Sequence, residues 1–370
     1  MTDGYVKDAV IKIIGVGGAG GNTINRIHSH PFVSVDLIAA NTDNQALAMN
    51  KATYKLQLGA KLTRGLGAGG NPDIGKKAAL ESIEDIKNML RGANLVIVTG
   101  GMGGGTATGA VPIIVEESRK LGINLTMAVV TKPFSKEGAY KMKLAEDAIN
   151  EIKKNVDAII VIPNDRLLLL PPNTTALSAY QEADNVLIEI ITGISDLITM
   201  PAMVNVDFAD IENIIKNSGT ALVGIGKGKG TTRHMDAVRN ALNFPLIENA
   251  DIRYAKGFIV FFRVPPNFIL QEMNEAMDYL TKKISNPQAR MKFGHYIDST
   301  IADDEVIITI VAAGFGYESD VIFDRAEIKK TEPLLSKSQD TFQYNKQDHG
   351  TKALLSTKPA FLRRGSSILD

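Results

Sequence analysis

No cysteine occurs anywhere in the 370 residues. Disulfides, thiolate metal ligands and cysteine nucleophiles are therefore excluded, and the composition suits a reducing compartment. Net charge is missing too: 41 Lys+Arg balance 41 Asp+Glu, leaving no field to gather nucleic acid or anionic lipid. Long apolar runs are absent. Leu95–Val98 and Val306–Ala313 fall well short of the roughly 18 residues a membrane span needs. Met1–Asp8 is polar and has no apolar segment of the signal-peptide kind, so neither secretion nor membrane insertion is expected. His28, His30, His234, His295 and His349 have no metal-ligand spacing, and surface or linker positions are their expected places. No Ser-His-Asp arrangement is suggested.

What is present is a 44% hydrophobic content, enough for two or three cores, and 33 glycines gathered into clusters. Five lie in Gly15–Gly21, five in Gly65–Gly75 and six in Gly100–Gly109. Clustered glycine marks backbone that turns tightly or lies against something.

The N-terminal half alternates apolar runs with amphipathic stretches. Val10–Ile14, Val35–Ala40, Leu95–Thr99, Thr126–Val130 and Ala158–Ile162 read as buried strands. Asn22–His30, Pro72–Leu90, Pro112–Leu121 and Glu137–Lys154 read as helices, with Pro112 in a first turn and Gly122 just past a C-terminus. Repeated β-then-α predicts a parallel sheet with ligands at the carboxyl ends of its strands. The first and third glycine clusters fall at those ends. Thr174–Met200 reads as one long helix with an apolar stripe through Leu177, Ala183, Leu187, Ile190, Ile194 and Leu197. A smaller α+β pattern follows, with strands at Ala221–Ile225 and Gly257–Val264, a helix at Phe268–Ile284 and two closing strands. Beyond Gly316 the chain reads as a charged linker ending in a short apolar-basic peptide, Pro359–Arg364.

Two loops carry the chemistry. Gly15, Gly17 and Gly20 fit G-x-G-x-x-G after a strand and opening a helix, the context in which backbone N–H groups face a phosphate. A purely structural turn is the plainer reading of that loop taken alone. The loop Gly100–Gly109 again follows a strand and leads into a helix, with three consecutive glycines and the Thr106 hydroxyl. Two such loops at adjacent strand ends suit a triphosphate cradled from two sides. The middle cluster nearly matches a P-loop through Gly70, Gly75 and Lys76. Lys77 stands where Ser or Thr must hold magnesium, and no strand precedes it, so a loop bordering the site and a phosphate contact stay equally open. Asp207 and Asp210 share one helix face. They could polarise a water or help hold a cation, although capping a helix and complementing its dipole is the more economical role.

Taken together these segments resemble the tubulin-like GTPases, and within them the FtsZ-type bacterial division proteins. The likeness runs through GVGGAGGN at 15–22, ANTDNQAL at 40–47, TRGLGAGGNP at 63–72, GMGGGTATGA at 101–110, VVTKPF at 129–134, IPNDRLL at 162–168, ADNVL at 183–187 and NVDFADI at 205–211. PAFLRR at 359–364 is similar to the family's C-terminal peptide. The match is dense through Ile211 and looser between Lys227 and Ala302.

The resemblance implies an α/β, tubulin-like fold: a parallel-sheet GTP-binding domain joined by a long core helix to a smaller α+β domain, then a flexible tail. Its expected limits are 1–172, 173–201, 202–317, 318–357 for the linker and 358–370 for an adaptor-binding peptide. It implies GTP or GDP contacts from Gly17, Gly18, Ala19, Gly20, Gly21, Asn22 and Asn41, and from Gly103, Gly104, Gly105, Thr106 and Ala107. Glu137 and Lys141 would meet the ribose and nearby phosphates. Asn164, Tyr180 and Asp184 would meet the base. Asn205, Asp207 and Asp210 would complete the hydrolytic site of the next subunit, with Mg2+ held through the phosphates rather than by protein side chains. The implied partners are further copies of the chain, head to tail, and membrane-tethering or regulatory division proteins at Phe361 and Leu362, in the cytoplasm at midcell beneath the inner membrane. Nucleic acid is not an implied partner. Ala107 stands where the family has glycine, Lys141 where it has arginine, Tyr180 where it has phenylalanine, and Thr357-Lys358 where it has an acidic and an apolar residue. If position 107 needs a positive φ, alanine there costs on the order of 1 kcal/mol. Two other readings compete: a structural paralogue that polymerises but scarcely hydrolyses, and a dinucleotide oxidoreductase using Asp36 or Asp43.

Overall fold

The structure is a computed structural model that describes residues 9–30, 35–169, 175–199, 207–244 and 254–315. Its first part alternates β1 (Ile11–Val16), α1 (Gly17–Ile27), β2 (Val35–Asn41), α2 (Asn44–Ala48), β3 (Tyr54–Gln57), α3 (Ala60–Thr63), α4 (Pro72–Glu81), α5 (Ile83–Leu90), β4 (Leu95–Gly101), α6 (Thr106–Lys120), β5 (Leu125–Lys132), α7 (Ala139–Lys153) and β6 (Ala158–Pro163). The long α8 (Ala176–Thr199) leads to α9 (Phe208–Ile215), β7 (Gly219–Lys229), α10 (Arg233–Leu242), β8 (Gly257–Val264), α11 (Leu270–Lys283), β9 (Arg290–Ile297) and β10 (Glu305–Ala313). The strands line up as β3-β2-β1-β4-β5-β6-β7-β10-β8-β9. The first six are parallel, as β-then-α repetition requires.

Apart from the edge strand β3, both faces of this parallel sheet are buried, which is why its strands are largely apolar rather than alternating. Ile11 and Ile13 of β1 enter one core with α1, α8 and α9, while Ile14 and Val16 enter another with α4 to α7. In the first core Leu187, Ile190, Ile191, Ile194 and Leu197 of α8 meet Val223, Ile259 and Val311 of the second part. The two parts are also joined through the sheet itself, where β6 and β7 pair in parallel over Ala158↔Gly219 and Ile159↔Thr220. A third core lies under α10 and α11.

Several elements differ from the sequence expectation. The helix expected from Asn22 begins at Gly17, and the one expected from Pro112 begins at Thr106, leaving Pro112 in its interior. Packing outweighs the proline's lost hydrogen bond there: a Cβ on Gly109 would stand 2.1 Å from the Pro72 carbonyl oxygen, so α6 is seated directly on α4. The expected helix Pro72–Leu90 breaks at Ser82, whose hydroxyl accepts from the Gly59 N–H (3.0 Å) and donates to the Gln57 carbonyl (3.3 Å). In β7, which extends to Lys229, a Cβ on Gly224, Gly226 or Gly228 would come within about 2 Å of a backbone oxygen of α10: 2.0, 1.9 and 1.9 Å in turn. That row of glycines lets the helix lie on the strand backbone to backbone. His234, expected at the surface, is buried and bonds Glu275 at 2.9 Å. Asn205, the linker at 318–357, Phe361 and Leu362 lie outside the described residues, and Tyr180 is described only as backbone within α8.

Candidate functional site

The carboxyl ends of β1 and β4 are neighbours in the parallel sheet, with Val16 opposite Gly100. This brings the first and third glycine loops side by side. Gly17 (φ 71°) and Gly103 (φ 96°) adopt left-handed backbone that favours glycine. The second loop is fixed internally: the Gly103 N–H donates to Thr108 Oγ1 at 2.9 Å, and the hydroxyls of Thr106 and Thr42 bond at 2.7 Å. Neither α1 nor α6 has a side-chain cap or an acidic residue in its first turn, so their amino-terminal N–H groups face the loops uncompensated. Around them, a Cβ on Gly18 or Gly104 would meet nothing within 4 Å. The protein's own packing does not require glycine at these two positions, and the backbone there is open to close approach from outside.

Beside the loops lies a cavity of about 320 Å³, which gathers Ala19, Gly103, Gly104, Glu137, Lys141, Asn164 and Asp184 with Met102, Thr131, Pro133 and Leu187. Seven residues singled out by the sequence thus converge from five separate segments. Glu137 is held by its own loop: Oε1 accepts from the Phe134 N–H at 2.9 Å and Oε2 pairs with Lys141 at 3.2 Å. Asp184 lies 3.3 Å from Arg26 of α1. Burial raises its carboxyl pKa above the ordinary value, and the Arg26 guanidinium opposes that shift. Asn41 is buried at the end of β2, accepting from the Asp43 N–H at 3.2 Å. Gly21 and Asn22 lie in α1, where Asn50 Nδ2 donates to the Gly21 carbonyl at 2.8 Å.

Ala107 occupies the second position of α6 and is not among the positive-φ residues, so the anticipated strain does not arise. Its methyl is buried and stands over Gly100, where a Cβ would lie 3.0 Å away. The middle cluster packs against the third: a Cβ on Gly105 would be 2.9 Å from Ala68 Cβ and from the Asn71 nitrogen. The carboxylates that would serve an oxidoreductase are engaged elsewhere, Asp43 capping α2 at Gln45 and Ala46 and Asp36 facing Lys12 at 3.6 Å.

Asp207 and Asp210 do not line the cavity. Asp207 caps α9, its Oδ1 accepting from the Asp210 N–H at 2.7 Å, as the plainer reading anticipated. Asp210 in turn receives Lys292 of β9 at 2.8 Å. Arg26 and Lys292 were invisible as partners in the sequence, since each contact joins residues more than 80 positions apart. Thr42 and Thr108, which shape the loops, carried no signal beyond lying inside the segments at 40–47 and 101–110.

A parallel sheet with two glycine loops at neighbouring strand ends, two uncapped helix N-termini and a carboxylate across the cavity defines a nucleotide-binding domain of tubulin type, carried with a second α+β part. Residues 10–170 match the Tubulin/FtsZ family, GTPase domain, and residues 219–316 match the FtsZ family, C-terminal domain. Among solved structures, an empty FtsZ dimer from M. jannaschii is 40% identical with a TM-score of 0.77, the match covering 83% of this chain and 88% of that one. The chain belongs to the FtsZ family. CetZ1 from Haloferax volcanii, a GDP-bound monomer, shares the fold at 19% identity and a TM-score of 0.72, over 83% of this chain and 95% of its own. CetZ2 from the same organism, a GTPγS-bound protofilament, does so at 18% and 0.70, over 85% and 95%.

Proposed function

We propose that this chain is a GTP-hydrolysing cytoskeletal protein that polymerises head to tail into the filaments of the division ring, with each hydrolytic site completed between adjacent subunits. The observation that carries the reading is a division of labour. One cavity gathers Ala19, Gly103, Gly104, Glu137, Lys141, Asn164 and Asp184, while Asp207 and Asp210 are not among its lining residues and follow α8, whose 24 residues span ~36 Å. A subunit that keeps its water-activating carboxylates away from its own nucleotide can use them only on another copy. A repeating contact of that heterologous kind does not close and produces a filament.

In this reading the glycine loops and the amino ends of α1 and α6 hold the phosphates. Glu137 and Lys141 meet the ribose side, and Asp184 accepts from the guanine edge with Asn164 beside it and Tyr180 stacking. An acceptor carboxylate there favours guanine over adenine. Asp207 and Asp210, with Asn205, orient and polarise the attacking water. Magnesium, carried on the phosphates, offsets charge developing there. The domain limits 1–172, 173–201 and 202–317 belong to this reading, as do the linker, the adaptor contacts of Phe361 and Leu362, and assembly at midcell in the cytoplasm. Among the described residues no helix is long and apolar enough to cross a membrane.

The test is GTP hydrolysis against protein concentration with light scattering on the same samples. Both are expected to rise above one shared threshold, and Asp210→Ala should keep the scattering and lose phosphate release. Hydrolysis linear in protein from zero would mean a complete site in each monomer and overturn the assignment. Scattering without hydrolysis in the unaltered protein would mark a structural paralogue.

A further inference from the structure

The face that carries Asp207 and Asp210 has an electrostatic difficulty. Under the head-to-tail reading, on which this inference rests, two carboxylates in the first turn of α9 must approach the anionic phosphates of a neighbouring subunit. The α9 dipole offsets only part of that charge. Strand β9, at the edge of the sheet and parallel to β8, lies one strand from the contact made by the carboxyl end of this helix: Ile214 of α9 presses on Gly257, which pairs with Arg290. Two residues along, Lys292 pairs with Ile259 and extends its ammonium to Asp210 Oδ1 at 2.8 Å. Half of the Lys292 side chain remains exposed, while the Asp210 side chain is 25% exposed.

We propose that Lys292 is a positioning residue for hydrolysis, its ammonium fixing the Asp210 carboxylate on the assembly face and offsetting its charge against the incoming phosphates. Three features converge on this role. Asp210 has one fixed neighbour on its backbone side, where its N–H is bound by Asp207, and Lys292 supplies the second restraint on the carboxylate itself. Lys292 itself belongs to none of the three cores: its side chain is half exposed, and the adjacent Phe293 is exposed as well. The ammonium also senses both acids: its pKa is raised above the ordinary lysine value first by the hydrogen bond to Asp210 and then by the charges of Asp210 and Asp207. A cation on this strand therefore has its measurable consequence at the α9 carboxylates.

The experiment compares full-length protein with Lys292→Met, Lys292→Arg and Asp210→Ala, plotting steady-state GTP hydrolysis against protein concentration. The slope above threshold reports turnover per assembled subunit, and the intercept reports the assembly threshold. Lys292→Met is expected to lower the slope roughly fivefold, which is about 1 kcal/mol on the barrier, and Lys292→Arg to restore most of it. An unchanged slope with Lys292→Met overturns the proposal. So does an equal loss in the methionine and arginine variants, which would mean packing rather than charge, or a raised intercept at constant slope, which would place Lys292 in assembly alone. If Asp210→Ala keeps full turnover, the interface reading itself has failed, and that result is read independently of the lysine variants.

Discussion

Glycines at the site fall into two kinds, and substitution should separate them. At Gly15 a Cβ would stand 2.2 Å from the Gly20 carbonyl oxygen, and at Gly20 it would stand 2.6 Å from that of Thr99. Both contacts are backbone to backbone, so alanine there must displace β1, α1 or β4. At Gly18 and Gly104 the same methyl meets nothing within 4 Å, and neither residue has a positive φ. In the absence of nucleotide, Gly18→Ala should leave thermal stability unchanged or raise it, because alanine in a helix is favoured over glycine by up to about 1 kcal/mol. The nucleotide is a different matter. On the proposed placement of the phosphates between the glycine loops, a methyl at either position removes at least one charge-assisted hydrogen bond, worth about 1.5–3 kcal/mol. Affinity for a fluorescent GDP analogue should therefore fall roughly 10- to 150-fold for Gly18→Ala and for Gly104→Ala, with thermal unfolding of the nucleotide-free proteins as the control. Unchanged affinity in both variants would refute the placement of the phosphates between these loops. A large loss of stability in either would refute the reading of open space.

Two further outcomes test the second part of the molecule. Gly226→Ala sets a Cβ 1.9 Å from the Ala237 carbonyl oxygen and 2.3 Å from the Ala241 nitrogen; overpacking against backbone costs about 1–3 kcal/mol, so the urea midpoint should fall markedly, whereas an unaltered midpoint would show that α10 can lift off β7 freely. Asp298 is buried beside Arg263; burial pushes its carboxyl up, but hydrogen bonds from the Thr300 hydroxyl and N–H, together with Arg263, hold it below the ordinary carboxylate value. A depressed folded-state value adds stability above the unfolded value of about 4, which is lost as pH falls through the folded one. Asp298→Asn should therefore unfold more easily at pH 7, with the gap to the parent closing in acid; a gap independent of pH would remove the titration argument.

How much of this was readable beforehand depended on where the stabilising partner lay. The central parallel strands were legible because burial on both faces leaves an uninterrupted apolar run, as in Leu95–Val98, whose four residues are fully buried. The glycine loops were legible because a ligand's demand on the backbone is written locally. Strand β3 was not, since in Tyr54–Gln57 only Leu56 is buried and four residues with one apolar contact give no period. The break at Ser82 was hidden for a related reason: the apolar pattern continues through it, and the hydroxyl's partners are Gln57 and Gly59, more than 20 residues upstream. The extension of β7 beyond the expected Ile225, through Gly226 and Gly228, runs against strand propensity and becomes intelligible only with α10 lying on top of it. In the candidate site the same boundary holds. Sequence likeness singled out Glu137, Lys141, Asn164 and Asp184, but not Arg26 or Lys292, because a charge partner across the fold leaves no local spacing to read.

Zero net charge bears on a nucleic-acid partner, whose attraction scales with many phosphates over a long surface. It carries no weight against a single nucleotide, and the fold explains the difference. An anion of that size is held by a few dipoles at short range, and their strength depends on what is left uncompensated nearby. Acidic residues occupy the first turns of α4, α5, α9, α10 and α11, the last four containing Glu84 and Asp85, Asp210, Asp236 and Glu272. They are absent from the first turns of α1 and α6, whose amino ends meet at the glycine loops, as they are from those of α2, α3, α7 and α8. A neutral protein can thus present a locally positive cradle built mainly from backbone N–H groups, the cavity's Lys141 being paired with Glu137, and glycine keeps the loops themselves free of side chains. An acidic substitution in either first turn places negative charge among the uncapped N–H groups, so Ala19→Asp should abolish GDP binding while improving the dipole match of α1 in the empty protein. Retained binding by that variant would mean that the phosphates lie elsewhere.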